Sequence, residues 1–281
     1  MISAAAIRCV GTQAARLFQL SFFFLCISSA SLSAEPLIAL NDALVRYARA
    51  EYPVALEMLL PLAERGDPVA QEIVGFIYAR GEGVEANPVI AFAWLERAAL
   101  GGRTEAQFEL GRMYRERVGL SEDGGPALFW FKRAAHQGAS HAMNAIGELY
   151  LGFGDAAGYQ AAMGWFLCSA ENGSWQAMLH IATMYRFGLG VEQDEIEEFK
   201  WIELAAKENG ILTFGTANIA RTEIIARLTP ATVQMGLTRA KEWWRQVRGL
   251  AGLEGDQVHA GHQRSWTDRA VRHACERGRG D

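Results

Sequence analysis

One interval constrains this chain more than any other feature. Trp94, Trp130, Trp165 and Trp201 stand 36, 35 and 36 residues apart. Tyr78, Tyr114, Tyr150 and Tyr185 keep that spacing, as do Gly66, Gly102, Gly138 and Gly173, with Gly210 closing the last interval. Three independent markers on one period mean a repeated structural unit. A unit of this size cannot bury its apolar face alone and must stack on its neighbours.

Each unit carries two helical patterns. Ala70, Val74, Gly75 and Tyr78 recur as Ala106, Leu110, Gly111 and Tyr114, then as Ala142, Ile146, Gly147 and Tyr150. The fourth copy is Ala177, Ile181, Ala182 and Tyr185. Offsets of four, five and eight place these residues on one helical stripe. Ala91, Trp94, Ala98 and Ala99, echoed by Ala127, Trp130, Ala134 and Ala135, mark the second helix. Gly and Ala allow two helix backbones to approach at the short end of the usual ~8–10 Å range. Trp and Tyr are expected to fill the gaps beside them, each burying roughly 150–250 Å².

The punctuation agrees. Asn87-Pro88 reads as an N-cap with Pro at the first helical position, and Asp194 with Glu197 as a capping-box-like start. The Gly that follows each Ala-Ala helix suits a left-handed C-cap. A Gly-x-Gly-Val loop is intact at 81–84 and 188–191 and eroded in the two middle units. Such a loop turns the chain sharply while Val tucks back on the pair.

In combination these motifs resemble the Sel1-like repeat family, exported bacterial helical hairpins related to tetratricopeptide repeats. The resemblance covers residues 66–210 and implies an all-α fold, an α/α solenoid in which helix-turn-helix units form a right-handed superhelix. Around it, 35–65 reads as an N-terminal helical pair and 211–248 as capping helices that cover the last core face. The tail 249–281 is Gly- and Arg-rich without apolar period and reads as disordered. Its His259, His262, His273 and Cys275 are a weaker match to a zinc site.

Residues 1–34 look like an export signal. Arg8 and Arg16 precede about fourteen mostly apolar residues, "LFQLSFFFLCISSA", too few for a membrane span of roughly 20. Cleavage after Ala34 or Ala30 suits the small-residue rule, with an uncleaved anchor as the alternative. The expected location is therefore periplasmic or secreted, with membrane contact only through this segment. Without Arg8 and Arg16, 25 basic side chains face 32 acidic ones. That acidic balance argues against nucleic acid, whose phosphates need a basic footprint. Only Cys168 and Cys275 would remain, which is no regular disulfide framework, so the core is expected to hold itself together.

No Gly-x-Ser-x-Gly, Ser-x-x-Lys, His-Glu-x-x-His, Walker or Cys-x-x-Cys motif occurs. The Gly-x-Gly-Val loops follow helices rather than strands, unlike dinucleotide cradles. Glu192, Asp194, Glu195, Glu197 and Glu198 are expected to complement a helix N-terminus and otherwise to be solvated. His136 and His141 lack a third ligand and read as surface histidines. No cofactor or metal is expected. Some cysteine-rich relatives are associated with penicillin binding or β-lactamase-like activity, but they carry a disulfide in each repeat, a pattern missing here.

Stacking of the kind the family implies turns the first helix of each pair towards a concave surface. With Tyr and Ala committed to the core, the adjacent stripe supplies the candidate partner-binding groove. Its members are Glu72 and Phe76, then Glu105, Phe108, Arg112 and Arg115, then His141, Asn144 and Glu148, then Thr183 and Arg186. Phe76 and Phe108 beside Arg112 and Arg115 offer an apolar anchor and a cationic patch, the residue types that interface hot spots favour. The alternatives are Phe side chains packed on neighbouring helices, and arginines paired with Glu116 and Glu105 on a solvated face. The expectation is a non-enzymatic regulatory or adaptor scaffold that binds a protein or peptide. A cell-wall or β-lactam hydrolase and a secreted host-interacting effector are the alternatives.

Overall fold

The computed structural model describes residues 38–118, 125–209 and 215–248. The expected export signal and the tail, with its candidate zinc ligands, lie outside the described residues. Among the described residues every regular element is a helix. An N-terminal pair, α1 (38–48) and α2 (Tyr52–Glu64), precedes four repeat pairs. These are α3 (Pro68–Arg80) with α4 (Pro88–Leu100), α5 (Thr104–Val118) with α6 (Gly125–His136), α7 (Ser140–Gly152) with α8 (Ala156–Glu171), and α9 (Trp175–Phe187) with α10 (Glu195–Glu208). Two more helices follow, α11 (Thr216–Ile225) and α12 (Pro230–Arg248). The described residues fall into two compact units, one ending at Ala106 and the other starting at Gln107.

The boundaries follow from capping chemistry. The Asn87 side chain accepts hydrogen bonds from the Val89 and Ile90 N–H groups, and Asp194 from those of Ile196 and Glu197. Asp67, Asp155 and Ser174 do the same for α3, α8 and α9. Each satisfies donors that the first helical turn leaves unpaired. At the other end Gly102 and Gly138 adopt φ of 88° and 89°. There the Arg103 N–H reaches back to the Ala98 carbonyl (3.0 Å) and the Ala139 N–H to that of Ala134 (3.3 Å). This six-to-one closure is what requires a left-handed residue after each Ala-Ala helix.

Within a pair the lock differs from the expected one. A Cβ at Gly111 would lie 2.5 Å from the Phe131 ring, and one at Gly147 would lie 2.5 Å from that of Phe166. The residue that fills the Gly notch is therefore the one after the repeated Trp. Phe131 and Phe166 are fully buried, each contributing about 1.5–3 kcal/mol of gross burial. The Ala markers Ala70, Ala106, Ala142 and Ala177 are also fully buried. Tyr78, Tyr114, Tyr150 and Tyr185, by contrast, are only half-buried and line the rim of the core. Trp94 is half-buried too, whereas Trp165 and Trp201 are buried.

Unit one is built on Leu59, Leu62, Val74 and Ile77, with Val84 of the Gly-x-Gly-Val loop packed against them. In the second unit Phe131, Ile146 and Trp165 form one cluster, and Phe166, Met178, Phe199 and Trp201 another. Cys168 is fully buried in the first of these clusters. It is disulfide-bonded, which corrects the expectation of a core without such a bond. The other three cysteines, Cys9, Cys26 and Cys275, lie outside the described residues.

Candidate functional site

Helices α3, α5, α7 and α9 carry the stripe singled out from sequence, and the structure divides it. In the first unit Glu72 is 3% exposed. Its carboxylate accepts from Arg103 Nε (3.0 Å) and Nη2 (2.5 Å) and from the Ala106 N–H (3.2 Å). Glu72 thus caps the start of α5 and is not part of an open stripe. Phe76 is half-buried, with the Arg80 guanidinium 5.0 Å from its ring centre. Glu105 is exposed in the first turn of α5, where negative charge complements the helix dipole.

In the second unit the stripe does converge. Phe108, half-buried, lies 5.5 Å from the Phe131 ring and meets His141 edge-on at 4.3 Å. His141 is accordingly an aromatic packing partner rather than a surface histidine. Arg112 is held within its own helix by Glu109 and by Glu116 (2.5 Å), which is the solvated-face alternative. Arg115 reaches across to α7, where its Nη1 donates to Glu148 Oε2 at 3.0 Å. Glu148 Oε1 accepts from Asn144 Nδ2 at 2.8 Å and lies 3.4 Å from His180 Nε2 on α9. The His180 ring stacks at 4.7 Å on Phe166.

One carboxylate therefore joins three successive first helices. The hydrogen bond from His180 and the charge of Arg115 hold the Glu148 carboxyl below its ordinary range, against the opposing effect of burial. Thr183 and Arg186 stand apart from this cluster. The Thr183 hydroxyl donates to the Leu179 carbonyl at 2.9 Å. Arg186 covers the Phe187 ring at 5.4 Å and lies 4.0 Å from Glu198.

Sequence reasoning missed His180 and Glu109. Glu109 stands three residues before Arg112, and His180 three before Thr183. Positions three and four apart share a helix face, so the wider stripe would have included them. What the cluster does chemically is neutralise its own charges across repeats while leaving Phe108 partly open. Among the described residues no group of three or more His, Cys, Asp or Glu is placed to hold a metal ion.

In the acidic stretch at the start of α10, Glu195, Glu197 and Glu198 fall in the first helical turn, and Glu192 and Glu195 are exposed as expected. Asp194, Glu197 and Glu198 are paired rather than simply solvated. Asp194 caps the helix and also binds Arg239 (3.2 Å). Burial alone would raise its pKa, but the N–H groups of Glu197 and Ile196 and the Arg239 guanidinium hold it down. Glu197 takes Arg239 (2.8 Å) and Lys200 (2.9 Å), and the nearly buried Glu198 takes Arg227 (2.5 Å).

The family model described as Sel1 repeat matches residues 68–102, 104–138, 140–174 and 175–210, half of the chain. No curated protein gives a significant match. Two solved structures are similar. One is a protective antigen present in uropathogenic Escherichia coli strains, displaying an SLR fold, at 28% identity and a TM-score of 0.57. The match covers 74% of this chain but only 46% of that one, so this chain spans less than half of the antigen's length. The other is a Sel1 repeat protein from Oxalobacter formigenes, at 27% identity and a TM-score of 0.55, covering 75% of this chain and 85% of that one.

Proposed function

This chain belongs to the Sel1 repeat family, and we propose that it is an exported, non-enzymatic adaptor of the cell envelope that holds a protein or peptide on its first-helix face. Sel1 repeats generally mediate protein–protein interaction, and repeat arrays present extended surfaces suited to it. The observation that carries the reading lies on α5, α7 and α9. A half-open Phe108 sits on a frame in which Arg115, Asn144 and His180 all converge on Glu148. Aromatic and Arg anchors held rigid by neighbours are what interface hot spots favour. The charged groups of this cluster pair with one another across three helices, which supports a rigid binding frame around Phe108. Export is supported by the first 34 residues, with their basic start, apolar run and small-residue end.

The test is crosslinking capture from envelope extract with the full chain, against a Phe108→Ala, Arg112→Glu variant. Arg115 stays in place because it ties α5 to α7. A partner held by the native chain and lost by a variant of unchanged circular dichroism supports the reading. A partner kept by both variants places the site elsewhere. Empty capture together with turnover of a chromogenic β-lactam or of peptidoglycan would replace the adaptor with a hydrolase. Separating cells from medium distinguishes an envelope protein from a secreted effector.

A further inference from the structure

Cys168 departs from what its place in the repeat leads one to expect. It stands three residues after Trp165 on α8, where the first two repeats put Arg97 and Arg133. Both arginines are exposed and lie over the preceding tryptophans, 4.7 Å from the Trp94 ring centre and 5.5 Å from that of Trp130. The position therefore faces outward in those repeats. In the fourth repeat it holds Leu204, which is buried in the cluster that Trp243 and Trp244 of α12 pack against. There, chain from the C-terminal side covers it. Cys168 is fully buried as well, and it is disulfide-bonded. It is the only cysteine among the described residues, so the sulfur it is joined to belongs to chain outside them.

We infer that Cys168 is bonded to Cys275, so that the C-terminal tail returns to the third repeat and is pinned on α8. Cys9 and Cys26, the other two cysteines, fall within the expected leader. The choice of Cys275 thus rests on the proposed export, which also supplies the oxidising compartment that disulfides need. Reach is no obstacle. The stretch from Arg248 to Cys275 would span roughly 30 Å even as a coil, against helix spacings of ~8–10 Å. Helix α12 packs on α10 and α8 packs on α9, within one repeat pair of each other. Forming the bond takes two protons and two electrons from the two thiols. They pass to the disulfide of an exported thiol oxidant, which is reduced to its dithiol. The closed loop contains α9, α10, α11 and α12, so the last repeat and the helices behind it are held to the third repeat covalently. Such a closure stabilises chiefly by restricting the unfolded chain.

Tryptic mapping of the full chain, expressed with its leader and digested without reductant, tests it. The peptide 134–186 should appear joined to 273–277, and the joined mass should vanish on reduction. A joined pair in protein that still carries its leader would keep the tie and overturn the export reading. Free thiols at both positions in leader-free protein would do the reverse. Linkage of 134–186 to Cys9 or Cys26, or to a second copy, would overturn the tie. Cys275→Ser leaves the buried Cys168 side chain in place and supplies a second readout. Its thermal midpoint should fall by several degrees. Dithiothreitol should bring the native chain down to the same value and leave the variant where it is. A variant as stable as the native chain would overturn the closure of α9 to α12 as a stabilising device.

Discussion

At the scale of single residues, the glycines inside the first helices do more than permit a turn. Gly111 leaves room for one Phe131 ring edge, and alanine there forces that ring aside. Gly111→Ala should cost about 1–3 kcal/mol through overpacking, read as a lower urea midpoint. The fourth repeat suggests the rescue. It carries Ala182 at the Gly position and Ile202 where the others have Leu95, Phe131 or Phe166. Phe131→Ile should therefore recover part of the loss in Gly111→Ala, a coupling that a double-mutant cycle measures. Trp165 makes a contrasting case. Its indole N–H has no hydrogen-bond partner among the described residues, so Trp165→Phe forfeits area but relieves an unmet donor. Its cost should stay below that of Trp165→Leu in the same assay.

A second residue-scale expectation concerns Glu148. Its folded pKa lies below the ordinary carboxylate value of 4.5. A depressed carboxylate contributes stability that is present above the unfolded pKa and is lost as pH falls through the folded one. Thermal midpoints should thus decline below about pH 4.5 more steeply in the native chain than in Glu148→Gln. Parallel acid limbs for the two proteins would show that the three-helix tie contributes nothing to folding.

At the scale of elements, helix starts were the most legible feature and helix partners the least. Asn87 and Asp194 announce their helices locally, because a cap acts within three residues of itself. Asn87→Ala should destabilise by about 1 kcal/mol, seen as a lower denaturant midpoint. The acids that follow Asp194 read from sequence as a solvated helix start. Their arginine partners, Arg227 in the turn after α11 and Arg239 on α12, stand 29 to 45 residues further on. No local pattern specifies that distance. The same holds for Glu72, which looks like one more exposed charge on a stripe yet caps the helix of the next repeat.

For the whole molecule, repeat architecture makes stability a sum of units and neighbouring interfaces rather than one indivisible core. The two compact units and their separate apolar clusters fit that description. Denaturant unfolding followed by fluorescence and by circular dichroism should therefore give midpoints that do not coincide. Coincident curves would mean that the chain unfolds as one body. Export belongs to this scale too. If the first residues are a cleaved leader, the protein recovered from the periplasm or medium should begin at Glu35 or Ser31, which intact mass decides.

The period, with the residue types that keep it, predicted stacked helical hairpins, and the described residues are helical as expected. Spacing on a helix is a backbone property and survives without knowledge of neighbours. Caps and Gly turns were legible for the same reason. Tertiary structure decided which large residue enters each Gly notch and which tyrosines stop at the rim. It also decided that Arg115, Asn144 and His180 meet on Glu148, and that Arg221, Arg227 and Arg239 reach the acids of α10. Apart from the local Asn144–Glu148 contact, the charged pairings join side chains 18 to 45 residues apart, and the period names the hairpins without specifying which charges meet between them.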